Sequence, residues 1–388
     1  MSKLITVIPA NSTPSGNRGD RLRALAFLFL KIGLTAFGGP TAHIAIMEDE
    51  VVRRRLWMTR EEFLDLLGAT NLIPGPNSTE MAIHIGYRRA GFPGLLVAGI
   101  SFIFPSALIV GGIAWTYVQY GALPQFKAIL YGIKPVVVAI VFQALLRLGK
   151  TALKSWWLWL IGLAAVILYS AGVGELLVLA LAGFVAAAFA GGRFVRRVQL
   201  RALALPMSLA GVASVSATFS LGALFVFFLK VGSVLFGSGY VLLAFLKADL
   251  VDRWGWISQT QLMDAIAVGQ VTPGPVFTTA TFIGYVLAGP SGAALATVGI
   301  FLPAFIFVAL SNPLIPRIRR APLAAAFLDG LNVGSLALMA VVSLQLAHGS
   351  LNSGLTVGLA LASAALLSFG VNSAVLTGVG AVAGLLFS

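Results

Sequence analysis

Two Pro-Gly-Pro interruptions constrain what this chain can fold into more than any other feature. The first, Pro74-Gly75-Pro76, lies inside residues 71–79, and the second, Pro273-Gly274-Pro275, lies inside residues 270–278. Proline lacks an amide donor and glycine lets the backbone turn, so neither stretch can continue a helix. Both stretches are flanked by apolar segments of helical character. Paired helix breaks at matching places in two chain halves point to the binding site of a transporter.

Composition places these breaks in a membrane protein. The 388 residues are 59% hydrophobic and only 10% charged, a balance that leaves a soluble domain too little polar surface. Apolar runs of about 18 or more residues recur, which predicts an all-α polytopic membrane protein. Cysteine is absent and the three histidines are scattered, so we expect neither a metal site nor a cofactor.

The net charge of +13 raises the question of whether the protein binds nucleic acid. Here the Lys and Arg residues stand in short loops between apolar runs, which is typical of cytoplasmic loops and favours a lipid bilayer over nucleic acid as partner. Residues 1–17 are polar and lack the apolar core of a signal peptide. We expect residues 1–19 to form a flexible tail.

The second half of the chain repeats the first. The matching stretches are Phe29-Leu30-Lys31-Ile32-Gly33 with Phe228-Leu229-Lys230-Val231-Gly232, Trp57 with Trp256, Asp65 with Asp264, and Ile85-Gly86-Tyr87 with Ile283-Gly284-Tyr285. Such a series predicts an internal duplication. We predict a first repeat at 20–201, a linker at 202–215 and a second repeat at 216–388.

Each repeat contains one element that cannot cross the membrane. Thr59 and Glu62 have the spacing of a capping box. The helix that follows, and the one after Pro-Gly-Pro, would each have roughly a dozen residues, too few to span about 30 Å. We interpret the pair as a re-entrant helical hairpin. The first apolar segment runs from about Leu22 to Met47, and further spans are expected at about 92–118, 124–146, 153–170 and 173–192. Spans at about 322–347, 352–369 and 371–388 complete the second half.

About five spanning helices per half would invert the second repeat relative to the first. The loop charges agree, since Arg147, Lys150 and Lys154 lie in a loop whose counterpart around His348 lacks Lys and Arg. Corresponding loops of opposite charge character belong on opposite sides. We therefore predict two inverted-topology repeats, with the side of the N-terminus left open.

Two broken hairpins can create an anion site. A helix that begins at membrane depth points free N–H groups and a positive dipole end into the protein. Neutral side-chain donors nearby suit a tetrahedral oxyanion. The candidate residues are Gly38, Gly39, Pro40, Asn71, Pro74, Gly75, Pro76, Asn77, Ser78, Thr79, Gly237, Ser238, Gly239, Gln270, Pro273, Gly274, Pro275 and Thr278. The alternative is that Pro-Gly-Pro only turns the chain between packed helices.

Three lysines stand in apolar spans, where an unsatisfied charge costs about 3 kcal/mol or more. Lys31 and Lys230 are equivalent, whereas Lys134 faces Asn332. Either their ammonium groups create a positive field for the anion, or the side chains extend to place those groups at the membrane interface. We include Lys31 and Lys230 in the candidate site.

Other polar groups near the breaks have two interpretations each. Glu80 and His84 share a helix face and either relay protons or brace the hairpin. Asp65 and Asp264 either act beside the anion or pair with an arginine. His43, just past Gly38-Gly39-Pro40, is expected near the site.

These motifs as a set resemble the bacterial chromate ion transporter family in its long two-domain form. The motifs that carry the resemblance are Phe37-Gly38-Gly39-Pro40, His43, Glu48, Glu50, Trp57, Phe63-Leu64, Pro74-Gly75-Pro76-Asn77-Ser78, Gly86-Tyr87-Arg88-Arg89-Ala90-Gly91 and Phe104-Pro105. The second half departs from them at Gly239, Leu242 and Val276-Phe277, which predicts an asymmetric site.

The resemblance implies export of chromate across the bacterial inner membrane, and hence chromate resistance, with sulfate as competitor. A transporter or channel for sulfate or another anion is the alternative. A membrane-embedded enzyme or accessory subunit is more remote, because the chain lacks a metal set, a nucleophile elbow and a phosphate-binding loop. The coupling ion, the resting conformation and the oligomeric state, including a homodimer, stay open.

Overall fold

The computed structural model describes residues 17–37, 39–190, 218–236, 239–311 and 322–387, and all of its regular elements are helices. The predicted linker at 202–215 and residues 1–16 of the predicted tail lie outside these ranges. Arg18 and Gly19, also placed in the tail, belong to the first helix.

Both halves are built from the same succession of helices. The first half consists of α1 (Arg18–Thr35), α2 (Gly39–Glu48), a π-helix (Asp49–Arg54), α3 (Arg60–Thr70), α4 (Asn77–Tyr120), α5 (Pro124–Ala152), α6 (Trp156–Ser170) and α7 (Glu175–Ala190). The second half consists of α8 (Leu221–Val234), a 3₁₀ turn (Gly239–Val241), α9 (Leu242–Phe245), a π-helix (Leu246–Arg253), α10 (Gln259–Val271), a 3₁₀ turn (Val276–Thr278), α11 (Thr279–Ser311), α12 (Pro322–Ser350), α13 (Gly354–Ser368) and α14 (Ser373–Phe387).

Among the described residues, four helical stretches are long and apolar enough to cross a membrane: α4, α5, α11 with its preceding 3₁₀ turn, and α12. This confirms the predicted all-α membrane protein. The helices at the other expected spans are shorter, with 15 residues in α6, α13 and α14 and 16 in α7. Since crossing takes about 20 residues, five crossings per half stays a prediction.

The first arm of the first hairpin, α3, begins at a capping box. The Thr59 hydroxyl accepts a hydrogen bond from the Glu62 amide at 3.2 Å, and the Glu62 carboxylate accepts one from the Thr59 amide at 2.9 Å. The predicted capping box is therefore confirmed. From it α3 runs for 11 residues, about 16 Å, which is far short of the bilayer core.

A sharp kink ends the second arm of each hairpin at the same place. Gly91 has φ 65° and ψ −151°, and Gly289 has φ 60° and ψ −151°. Glycine reaches this region without steric cost, and Pro93 or Pro290 follows. The long helices α4 and α11 are therefore each a short arm joined to a longer one.

The two halves interlock through reciprocal helix contacts. α5 packs on α13 and α14 of the second half, and α12 packs on α6 and α7 of the first. Glycines allow the close approach: a Cβ added at Gly132 would overlap the Gly380 carbonyl, and one added at Gly330 would overlap the Ala182 carbonyl.

The central helices α4 and α11 pack against each other. A Cβ added at Gly99 would lie 2.5 Å from the Phe305 ring, and Leu95 and Val308 belong to one buried cluster. Equivalent helices of the two halves therefore meet at the centre, and the inversion of one repeat relative to the other stays a prediction.

A buried ion pair also joins the halves. The Lys134 ammonium on α5 lies 2.9 Å from the Asp264 carboxylate on α10, and the Tyr117 hydroxyl donates to the same carboxylate at 2.9 Å. The Asp264 side chain is 2% exposed and that of Lys134 is 19% exposed. Asp264 thus has a structural partner, as one of its two interpretations expected, but the partner is a lysine rather than an arginine.

Replacing Gly132 by alanine should destabilise the protein by about 1–3 kcal/mol, because the added methyl group overlaps the backbone of α14. Gly111→Ala is the matched control, since nothing lies within 4 Å of its added Cβ and alanine favours a helix by up to about 1 kcal/mol. Thermal unfolding in detergent compares the two variants. Equal stability of both would contradict the close packing of α5 and α14.

Lys134→Met should cost about 3–5 kcal/mol, because it leaves the Asp264 carboxylate buried without a cation. The double variant Lys134→Met/Asp264→Leu should recover most of that loss. Arg88→Met, which breaks an exposed pair with Glu62, should cost about 1 kcal/mol or less. Thermal unfolding measures all three, and a Lys134→Met protein as stable as Arg88→Met would refute the buried pair.

Candidate functional site

Each Pro-Gly-Pro break is tied to the other half of the protein. The Gly75 amide donates to the Leu235 carbonyl at 2.7 Å, and the Gly274 amide donates to the Ala36 carbonyl at 3.0 Å. Both glycines have positive φ, 140° at Gly75 and 88° at Gly274, which a residue with a Cβ rarely adopts. The carbonyls belong to the residues that end α8 and α1. Each of these two amides therefore forms a hydrogen bond from one half of the protein to the other.

His43 supports one of these contacts. It is fully buried, and its Nε2 lies 3.1 Å from the Ala36 carbonyl. A carbonyl only accepts hydrogen bonds, so Nε2 carries the hydrogen and donates it. The Phe102 ring packs edge-on against the imidazole at 5.5 Å. His43 thus lies beside the second break, through the carbonyl that both groups share.

Lys31 and Lys230 are paired with carboxylates. Lys31 Nζ lies 3.1 Å from Glu50 Oε1, and Lys230 Nζ lies 2.8 Å from Asp249 Oδ2. Arginines complete each cluster, Arg55 on Glu50 and Arg253 on Asp249. Glu50 and Asp249 are almost fully buried and need these cations. The two lysines therefore join the first helix of each half to the following π-helix.

A cavity of about 800 Å³ lies between the halves at the level of the breaks. Six predicted site residues line it: Gly39, Pro40, Asn71, Asn77, Gln270 and Gly274. The Asn77 side-chain amide donates to the Asn71 side-chain carbonyl at 2.9 Å, across the first break. As the first residue of α4, Asn77 also brings a helix N-terminus to the cavity wall.

The other predicted residues of the breaks do not line this cavity: Pro74, Gly75, Pro76, Ser78, Thr79, Gly239, Pro273, Pro275 and Thr278. Thr278 instead lies 3.1 Å from the Ser106 hydroxyl and donates to the Pro275 carbonyl at 2.8 Å. Gly38, Gly237 and Ser238 lie outside the described residues.

Sequence reasoning missed the long helices that form the rest of the wall. Gln143, Arg147 and Thr151 lie one turn apart on α5, and Asn332 and Ser335 occupy a similar stripe on α12. A polar residue every third or fourth position in an apolar helix signals such a face. Sequence analysis used Arg147 only as a loop charge, because the end of α5 was placed before it.

The cavity has an excess of positive charge. Lys154 is paired with Asp329 at 2.9 Å, and both side chains line the wall. Arg147 lines the same wall and forms no ion pair with any residue that the structure describes. A free guanidinium beside asparagine and glutamine amides is a set of donors that suits an oxyanion.

Glu80 and His84 form a second unusual group, directly behind the first break. Both side chains are fully buried, and their polar side-chain atoms find no hydrogen-bond partner within the described part of the chain. The Glu80 carboxylate lies so close to Gly75 that a Cβ there would overlap it. Neither residue lines the cavity.

Both halves of the chain match one protein family. The family model described as "Chromate transporter" matches twice, at residues 23–188 and 222–385. The same model thus covers each half of the chain once. No solved structure matches.

Three curated relatives cover most of this chain. The "Probable chromate transport protein" of Synechococcus elongatus is 32% identical over 337 residues, 85% of this chain and 86% of the relative. The "Chromate transport protein" of Cupriavidus metallidurans is 32% identical over 355 residues, 89% and 88% of the two chains. That of Pseudomonas aeruginosa is 32% identical over 358 residues, 87% and 84%. With its long apolar helices, this chain is a multi-pass membrane protein that belongs to the chromate transporter family.

Proposed function

We propose that this protein moves chromate across the bacterial inner membrane, binding it in the cavity between the two Pro-Gly-Pro breaks. The observation that carries the proposal is the cavity itself, which both halves line and where Arg147 offers a guanidinium that pairs with no acid in the described ranges. The names of the three relatives support chromate as substrate. The family is one of transporters, so the chain is not an enzyme.

Chromate is a tetrahedral dianion with four oxygens that accept hydrogen bonds. Arg147 would neutralise part of its charge, and the amides of Asn71, Asn77 and Gln270 would donate to the remaining oxygens. The N-terminal end of α4 adds a favourable dipole at the same wall. The glycine amides of the breaks hold the halves together instead of binding the anion.

Two inverted repeats are the architecture we propose for the transport cycle. The family model that matches each half once supports the repeat, and the opposite charge character of corresponding loops supports its inversion.

 

Helices α4 and α11 also pack against each other, with Leu95 and Val308 in one buried cluster between the halves. Halves related in this way can rock against each other and open the shared cavity to one side at a time.

We propose export as the direction. A cytoplasm that is negative inside favours the exit of a dianion by about 2.3 kcal/mol per charge per 100 mV. Uptake of the same ion would have to work against that potential. Export from the cytoplasm would give chromate resistance.

Chromate flux into everted membrane vesicles tests the function, with sulfate as competitor and with the potential and the pH gradient collapsed separately. Saturable chromate uptake supports export, and the collapse that abolishes it identifies the driving force. Sulfate flux without chromate flux would be consistent with an anion site in the cavity but would contradict chromate as the substrate.

Arg147→Gln should weaken chromate binding by about tenfold or more, because a charge-assisted hydrogen bond contributes about 1.5–3 kcal/mol. Arg147→Lys should fall between this variant and the wild type, since it keeps the charge but loses the bidentate geometry. The measurement is the chromate concentration at half-maximal flux.

Lys150→Gln is the matched control, because Lys150 is an exposed cation on the same helix that does not line the cavity. It should leave the half-maximal concentration unchanged. A similar change in Arg147→Gln and Lys150→Gln would show a general surface-charge effect and contradict a direct contact at Arg147.

A further inference from the structure

Among the residues that the structure describes, Glu80 has no partner that would stabilise it as a carboxylate. It is fully buried on the first arm of α4, and neither carboxylate oxygen forms a hydrogen bond with a described residue. A charged group removed from water without a counter-ion or donor is strongly destabilised, whereas the neutral acid is not. The surroundings of Glu80 therefore favour a bound proton.

The elements packed around Glu80 supply no compensating charge. On α1, Lys31 is held by Glu50, and on α2, His43 is bonded to the Ala36 carbonyl. On α10, Asp264 is held by Lys134. On α3, Arg60 is paired with Glu48, and Glu62 is paired with Arg88. Asp65 also has an interaction partner, which leaves Glu61 as the remaining acid of this helix. α11 contains no charged residue or histidine.

His84 stands one helical turn from Glu80 on the same face. It is also fully buried, and neither ring nitrogen has a hydrogen-bond partner among the described helices and turns. An imidazole can accept a proton on one nitrogen and release one from the other. The two residues together form a short path for a proton along the inner face of the arm.

The position of Glu80 connects it to the break. Its carboxylate packs on Gly75, whose amide holds the Leu235 carbonyl of the other half. Asn77, three residues before Glu80, lines the anion cavity. A change of charge on Glu80 would therefore act on the contact that joins the halves and on the cavity wall.

The second half has no counterpart of this pair. Its corresponding stretch, residues 276–282, reads Val-Phe-Thr-Thr-Ala-Thr-Phe and has no ionisable side chain. The backbone break needs neither Glu80 nor His84, since the second break forms without them. The pair is thus an addition to the shared architecture.

We propose that Glu80 is a proton-binding site that couples chromate movement to the proton gradient, with His84 passing the proton to and from it. This inference rests on the proposed function. One proton binds a carboxylate oxygen from the outer side and leaves toward the cytoplasm as chromate moves outward, and no covalent bond of chromate changes. The tight packing against Gly75 favours a proton over a hydrated metal ion.

Reconstituted vesicles with the potential held at zero test the coupling. In wild-type protein, a pH gradient should drive chromate to accumulate on the acid side of the membrane. In Glu80→Gln, that response should fall to the rate of protein-free vesicles, whereas chromate exchange at equal pH should persist because exchanging chromate for chromate does not require a proton to bind or leave. Glu62→Gln, which changes an exposed glutamate, should behave like the wild type.

A pH response that survives in Glu80→Gln would overturn the proposal, and so would a wild type that exchanges chromate but ignores the pH gradient. Accumulation driven by a sodium gradient and lost in Glu80→Gln would replace the proton by sodium. Absence of any chromate exchange in the wild type would instead refute the proposed function.

A second measurement does not depend on transport. Infrared spectra of the wild type at neutral pH should contain the carbonyl band of a protonated carboxylic acid that is missing in Glu80→Gln. If that variant does not fold, Glu80→Asp replaces it, and the band should then shift in frequency. An unchanged band in either variant would overturn protonation of Glu80.

His84→Gln tests the path to Glu80. It should slow accumulation driven by the pH gradient and leave exchange at equal pH unchanged, because exchange does not require proton transfer. Equal slowing of both rates would indicate a structural role for His84 and contradict the path.

Discussion

The hydrogen bonds from Gly75 to the Leu235 carbonyl and from Gly274 to the Ala36 carbonyl are the contacts on which this architecture depends. A break at membrane depth exposes backbone donors where no water can satisfy them, at a cost of several kcal/mol each. Here each break finds its acceptor at the end of the first helix of the other half. Neither half can therefore satisfy its own break, and the two must fold together.

This constraint limits which donors can contribute to the proposed anion site. Free glycine amides at the breaks would have been suitable donors, but they are already engaged. The donors that remain are side chains on the cavity wall, with Asn77 at the start of α4 and Arg147 on α5. The long helices α5 and α12 thus become part of the site, and both also interlock the halves. In the proposed function, chromate binding and packing of the halves therefore use the same helices.

Sequence analysis succeeded where the signal is local. The Thr59 capping box, the two breaks and the helical fold follow from residue type and spacing along the chain. It did not find the partners of Lys31 and Lys134, because an ion pair depends on which helices meet in space. Glu50 and Asp249 stand at equivalent positions after the equivalent lysines, which is a signal for the first pair. The Lys134 pair has no counterpart, so nothing in the repeat could indicate it.

The differences between the halves then separate scaffold from chemistry. Features present twice hold the backbone: the glycine contacts, the lysine–carboxylate clusters and the glycine kinks. Glu80, His84 and Lys134 occur in one half alone, and all three are ionisable groups in apolar surroundings. A symmetric scaffold can open to either side with similar energy. Only groups that break the symmetry can make opening toward one side of the membrane depend on bound ions. Glu80 and His84 lie behind the first break, and Lys134 lies where the two halves meet.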